Sequence, residues 1–343
     1  MSEPAATTPW WRRVARPLVL AAFAYLIISL ALRVDWGEVG ASLAHLAPWQ
    51  FAALAGVLVV RRFLDAWPLT FYIEGLGPAR ALQNDVSAAL ISIVAPPPSD
   101  MVLRVAMFSS WGIEVTRGLA GAVMNMVSFY VARFTVPILG LVILVGYHGF
   151  EPGEVITAAT SLAVVAAIVV SLILILQAEE MAGRVGRFFG TLVHRVRHSV
   201  DPQQWAQACV RFRANSADQA RRGVPRAVPV LTVMIILDGT ILLLALRFVG
   251  VPASAVPAAL LLGTYLLSYP LTLFPFSGIG VLDAVLIALM LESAGEAYEA
   301  EIMAAVIIWR VVTIAGPLVM GAVALWLWRR SGHTWDRTAT LEV

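Results

Sequence analysis

The sequence contains no lysine: all 24 basic residues are arginine, against 22 acids, for a net charge of +2. Charge of either sign is scarce, at 13% of residues, where soluble domains carry roughly 25%. Hydrophobic residues make up 59% and mean hydropathy is +0.81. So few charged side chains cannot coat a water-exposed surface, which excludes an ordinary soluble enzyme, and the apolar content excludes disorder. The single cysteine, Cys209, rules out an intrachain disulfide and a cysteine-based metal centre. No P-loop, nucleophile elbow or HExxH motif occurs, so no catalytic residue is named. His194 and His198 stand four apart, but no carboxylate or thiol completes a tetrahedral set. Neither a metal nor a cofactor is expected.

What is present is a series of apolar runs long enough to cross a bilayer, roughly 20 residues each. They lie at 17–34, 43–60, 118–146, 155–178, 227–249 and 302–328. The first follows Arg12, Arg13 and Arg16; its length favours a retained signal anchor over a cleaved signal peptide. Arginines are segregated along the chain. Three lie in the N-terminus, Arg80 and Arg117 in short loops, nine in residues 179–226, and Arg329, Arg330 and Arg337 near the C-terminus. The opposite loops hold Arg33 alone among acids such as Asp35, Glu38, Glu151, Glu154, Glu296, Glu299 and Glu301, with Glu292 at the margin. Cationic loops stay in the cytoplasm. The expectation is a multi-pass protein of the cytoplasmic membrane with both termini inside.

This parity leaves two apolar segments that enter and leave on one face, residues 84–111 and 256–292. Each is interrupted by helix-breaking residues, Ala95-Pro96-Pro97-Pro98-Ser99-Asp100 and Phe274-Pro275-Phe276-Ser277-Gly278-Ile279-Gly280. Arms of about 14 residues rise only about 21 Å, so opposed re-entrant hairpins fit better than full spans. Ser99 precedes Arg133 by 34 residues and Ser277 precedes Arg310 by 33; each arginine is followed by a proline and a glycine, Pro137 and Gly140, Pro317 and Gly321. Two such units read as an inverted repeat. The fold expected is all-α, with about six transmembrane helices and two opposed hairpins in a single membrane domain. Its divisions are a cytoplasmic N-terminus 1–16, a first half 17–178, a basic amphipathic connector 179–226, a second half 227–330 and a cytoplasmic tail 331–343.

The polar residues inside this apolar frame are the candidate site. Non-helical backbone at membrane depth is tolerated only where protein or a wet cavity surrounds it. Ser99 or Asp100 can cap the helix after the first break and Ser277 the helix after the second; free N–H groups there can equally receive an anion. Asp100 and Arg104 share a helical face and can pair. Arg133, Asp238, Asp283 and Arg310 fall well inside apolar segments, where an unpaired charge costs roughly 3 kcal/mol or more. Either they pair structurally between the halves, or they line a hydrated path for a charged headgroup, the reading preferred here. Arg61, Arg62 and Asp65, near the inner end of the second span, read as side chains reaching the interface. Phe188, Phe189, Trp205 and Phe212 among the arginines of 179–226 suit a helix lying on an anionic leaflet.

At the two breaks the sequence resembles the lysylphosphatidylglycerol synthase transmembrane (flippase-like) family. Pro98-Ser99-Asp100…Arg104 followed by Trp111-Gly112-Ile113 is similar to its P-x-x-G-D-x-x-R…G-I/V motif. Pro275-Phe276-Ser277-Gly278-Ile279-Gly280-Val281-Leu282-Asp283 is similar to P-x-P-G-G-x-G-x-x-E, and Trp309-Arg310-Val311-Val312-Thr313…Pro317…Gly321 to Y-R-x-x-T…P…G. Serines replace glycines at 99 and 277, Asp283 replaces glutamate, and Ala132 stands where the family places glutamate before Arg133. The resemblance covers about residues 17–330 and implies the translocating half without the synthesising half. It implies a lipid flippase or transporter for an anionic, aminoacylated or polyprenyl-phosphate-linked lipid. The substrate residues would be Ser99, Asp100, Arg104, Arg133, Asp238, Ser277, Gly278, Gly280, Asp283 and Arg310. The partners expected are membrane lipids with anionic headgroups, not nucleic acid, with homo-oligomerisation left open. A membrane-embedded transferase acting on a lipid-phosphate carrier, or an envelope-assembly scaffold, are the competing readings.

Overall fold

Proline and glycine punctuate the apolar runs into helices. The computed structural model describes residues 47–94, 99–177 and 202–331. The first predicted span, the tip Ala95–Pro98, the start of the basic connector and the last residues of the tail lie outside the described residues. Among those described, every regular element is helical. In order these are α1 (Pro48–Ala66), α2 (Leu69–Tyr72), α3 (Pro78–Val94), α4 (Ser99–Ser110), α5 (Val115–His148), α6 (Pro152–Gln177), α7 (Pro202–Phe248), α8 (Ala258–Ser268), α9 (Pro275–Gly278), α10 (Val281–Ala294) and α11 (Glu299–Arg330). Short 3-10 turns occupy Tyr269–Leu273 and Glu296–Tyr298.

Among the described residues three helices are long and apolar enough to cross a membrane: Val115–His148, the Arg221–Phe248 part of α7, and Glu296–Arg330. Helix α5 carries apolar residues on its exposed side (Leu139, Val142) as well as its buried side (Val136, Leu144), as a helix between lipid and protein should. The chain is an all-α polytopic integral membrane protein.

The second break falls where it was expected, and the helices on either side of the first are unequal in length. Helix α3 has 17 residues and α4 has 12, or about 26 and 18 Å of rise. The second break is more elaborate. Pro270 turns the end of α8 into a 3-10 segment, α9 lasts four residues, and Gly278 and Gly280 take positive φ before α10 begins. One expectation needs correction. Residues 202–226 are not a connector separate from the following span: α7 runs unbroken for 47 residues, through Pro225 and Pro229. Helical continuity carries it about 70 Å, far beyond a bilayer core. At its other end, Arg247 donates to the carbonyls of Val251 and Val256, fixing the turn into α8.

The segments expected to form two repeat units pack in equivalent ways. Helix α5 packs along α8, and α11 packs along α3. In each pair the glycine that follows the arginine and proline lets two backbones meet. A Cβ on Gly140 would lie 2.5 Å from the Leu267 nitrogen and 2.6 Å from the Gly263 oxygen; one on Gly321 would collide with the Val86 carbonyl and Leu90. Leu267 and Gly263 precede Ser277 by 10 and 14 residues, and Leu90 and Val86 precede Ser99 by 9 and 13. The two contacts are therefore equivalent to within one residue. Both pairs run antiparallel: Gln83 Nε2 donates to the Ala324 carbonyl at 2.9 Å, three residues before Val86 and three after Gly321, while Leu144 sits against Gly263.

Candidate functional site

One turn of α1 supplies three charges at positions that point in different directions. Arg61 and Asp65 are four apart and lie 3.8 Å from each other; Arg62 and Asp65 are three apart and lie 2.8 Å from each other. The remaining donors reach other helices. Arg61 Nε lies 3.0 Å from Asp238 Oδ1 on α7, and Arg62 Nη2 lies 3.4 Å from Asp85 Oδ2 on α3. Arg104 on α4 then closes on α3, donating to Asp85 Oδ1 at 3.1 Å and Asn84 Oδ1 at 2.8 Å. The Tyr265 hydroxyl on α8 donates to Asp238 Oδ2 at 2.6 Å.

Three arginines thus meet three aspartates in a chain that ties together α8, α7, α1, α3 and α4. At about 3 Å and an effective dielectric constant near 20, each contact is worth on the order of 5 kcal/mol of attraction. Desolvation offsets much of that, so the net effect is to fix which helices meet more than to add stability. The Arg61–Asp238 contact is purely ionic: neither atom makes an aligned hydrogen bond among the described residues.

These positions correct two expectations. Arg61, Arg62 and Asp65 do not reach for the interface; Arg62 is only 8% exposed, and all three are spent on buried partners. Arg104 does not pair with Asp100. The hairpin brings Asp85 and Asn84 beside it, and a two-residue acceptor set across the hairpin outcompetes one carboxylate a turn away. Ser99 and Asp100 open α4, next to the tip and apart from the charge chain.

A second, smaller arrangement sits at the other break. Asp283 is buried at the start of α10, where its Oδ2 accepts the Gly280 N–H at 3.0 Å and closes the first turn. Its Oδ1 takes both Nε and Nη2 of Arg310 on α11, at 2.8 and 2.5 Å. Arg310 Nη1 also donates to the Ser277 carbonyl at 3.4 Å, and its guanidinium lies 4.2 Å from the Trp309 ring centre. Ser277, Gly280, Asp283 and Arg310 are therefore brought together at this break. Gly278 supports them through its backbone: at φ +73° a Cβ would press 2.7 Å from the Leu271 oxygen.

Ser277 has a conformational cost. At φ +58° it is the one non-glycine residue with positive φ among those described. A left-handed L-residue is strained by roughly 1–2 kcal/mol, and this is a position where the family pattern has glycine. Ser277→Gly should raise thermal stability in detergent by about 1 kcal/mol. An unchanged or lower melting temperature would show that the serine side chain offsets its backbone strain.

Arg133 differs from all the others. Its guanidinium carbon stands 4.6 Å from the Phe129 ring centre, 5.3 Å from Tyr130 and 5.9 Å from Tyr269. Among the described residues no carboxylate pairs with it and no acceptor takes its hydrogen bonds, and its Nε is buried. Ala132, fully buried, occupies the place where a neighbouring counter-charge would have stood. The rings around Arg133 continue into a wall, Tyr269 to Tyr265 at 5.7 Å and Tyr265 to Trp309 at 5.9 Å, which reaches the Arg310–Asp283 pair. The Trp309 indole N–H is buried without an acceptor among the described residues. Among the described residues, the arginines and aspartates of the two arrangements on α1, α3, α4, α7, α10 and α11 are met by opposite charges, whereas Arg133 has neither a carboxylate nor a carbonyl to answer it. Such a group is suited to an anion that brings its own acceptors.

Sequence reasoning left out Asp85, Tyr265 and Tyr269, named Trp309 only within a motif, and gave Arg61, Arg62 and Asp65 an interfacial role. The available signal was three charges within five residues of an apolar run, with Asp85 inside the next one.

A protein-family model described as "Lysylphosphatidylglycerol synthase TM region" matches residues 14–321. No curated protein matches the chain.

Proposed function

Because the chain belongs to the lysylphosphatidylglycerol synthase transmembrane family, whose members act in lipid metabolism or transport, we propose that it moves an anionic phospholipid between membrane leaflets. The lipid phosphate binds at Arg133. The observation that carries this reading is a half-buried guanidinium, its Nε fully buried, with aromatic neighbours and no protein acceptor among the described residues. Aromatic faces hold such a cation at about 2 kcal/mol when it is desolvated, less than the roughly 3 kcal/mol or more that mid-membrane burial costs. A phosphate supplies the difference and matches the planar fork with paired oxygens. An aminoacylated lipid or a polyprenyl-phosphate-linked lipid offers the same phosphate. Arg310 and Asp283, Arg104, Asp238 and the caps at Ser99, Asp100, Ser277, Gly278 and Gly280 shape the path and hold it together.

In this reading the arms α3–α4 and α8–α10 are re-entrant, entering from opposite faces, and both chain termini lie in the cytoplasm. Helix lengths of about 26 and 18 Å in the first hairpin support it, as do the arginine-rich segment 179–226 and the basic end of α11. Cysteine-accessibility mapping on a Cys209→Ala background tests the topology. Reagents confined to the outside should label positions in 250–255 and leave those near 205 untouched; the reverse pattern would overturn it.

Function is tested in proteoliposomes by following fluorescent phosphatidylglycerol and phosphatidylcholine from one leaflet to the other. The protein should accelerate the anionic lipid at least tenfold more than the zwitterionic one. Acceleration of neither lipid, or equal acceleration of both, would remove the phosphate-at-Arg133 account.

A further inference from the structure

Between α3 and α11 lies a groove of about 530 Å³, away from the charge chain and from Arg133. Its walls are apolar, including Leu82 and Val86 from α3 and Val319, Met320 and Val323 from α11. Only two polar side chains reach it. Gln83 is already committed to the Ala324 carbonyl across the groove. Arg80 is exposed, stacks 5.7 Å from Trp111, and has no carboxylate in ion-pair range among the described residues.

The groove has a direction. Because the helices run antiparallel, Val86 and Val319 lie at one end, and Arg80 and Leu327 at the other. The Val86 end is shut by the backbone contact at Gly321. The Arg80 end carries interfacial chemistry: Trp328 donates to Ser110 at 3.0 Å, and one turn beyond Leu327 Arg330 stacks 4.0 Å from Trp326. An apolar slot closed at its deep end and cationic at its mouth is complementary to an amphiphile with a negative head.

We infer that this groove holds one acyl chain of an anionic phospholipid, with its phosphate at Arg80. The site is distinct from the Arg133 site and requires only that the chain lies in a bilayer, so it stands or falls separately from translocation. A tightly held lipid here fills the seam between α3 and α11.

The test uses the full chain in nanodiscs of phosphatidylglycerol, or of phosphatidylcholine, each doped with the same lipid bearing a diazirine near the end of one acyl chain. After irradiation, the labelled residues are mapped by mass spectrometry. Label from the phosphatidylglycerol probe should concentrate at Val86, Met320 and Ala324, at least five-fold above the lipid-facing positions Val142 and Ile156. Val323→Trp should fill the groove and lower that label several-fold. Arg80→Gln should erase the preference for phosphatidylglycerol over phosphatidylcholine. Both residues are exposed, so neither change threatens folding. Label spread evenly over Val142 and Ile156, or label indifferent to both substitutions, would overturn the site. Arg133→Ala should leave the label unchanged even where transport is lost.

Discussion

Arg133→Ala should abolish most lipid transport while the protein inserts, folds and purifies as before. A charge-assisted contact to phosphate contributes about 1.5–3 kcal/mol, which is about ten- to hundred-fold in rate if it is felt in the transition state. Stability should change little, because among the described residues no carboxylate is stranded by the loss of this arginine. Lost ring contacts and relieved desolvation roughly cancel. Arg133→Lys should recover only part of the rate, since a point charge replaces a bidentate fork. The contrast is with Arg310→Ala, which leaves Asp283 charged and buried and should cost roughly 3–5 kcal/mol of stability. Transport at the parental rate in Arg133→Ala proteoliposomes would sink the headgroup assignment. So would collapse of the variant's folded yield, which would make the residue structural.

Asp85→Ala should be the most damaging single change in the charge chain. One carboxylate answers two arginines there, Arg62 at 3.4 Å and Arg104 at 3.1 Å, so its loss strands Arg104 and leaves Arg62 with Asp65 alone. Breaking a buried pair costs roughly 3–5 kcal/mol, a large fraction of a typical folding free energy. Folded yield by size-exclusion chromatography should fall sharply. The double variant Asp85→Leu, Arg104→Met should recover most of it, because Arg62 keeps Asp65 at 2.8 Å and the neutral pair removes its own desolvation cost. An Asp85→Ala protein as stable as its parent would show that water reaches this chain of charges.

The sequence made the breaks legible because their chemistry is local. Three consecutive prolines cannot continue a helix, and Gly278 and Gly280 mark backbone that side chains would strain. The Arg310–Asp283 pair was legible through motif spacing. The charge chain was not. Arg61 and Arg62 look, in one dimension, like arginines at the end of a span. Whether they reach water or Asp238 and Asp85 is decided by how α7 and α3 pack, which no periodicity records. The Asp100–Arg104 pairing failed for the same reason, since spacing on a helix gives an opportunity and a partner from another helix can take it. The length of α7 was hidden by its composition. Arginines and two prolines suggest a surface connector, yet helical hydrogen bonding runs through them into the apolar span.

The packing of α3 against α11 sets a timetable for the newborn chain. Gln83 and its acceptor at Ala324 are separated by 241 residues. At synthesis rates of roughly 5–20 residues per second, α3 is made about 12–50 s before α11 arrives to cover it. During that interval its groove-lining face, with Gln83 unanswered, must be shielded by lipid or by the insertion machinery. Emergence of α11, rather than of the first half, is the earliest moment at which the seam can close. A stop codon placed before α11 should therefore yield a membrane-inserted chain prone to degradation, in which α3 is complete in residues and unfinished in its packing.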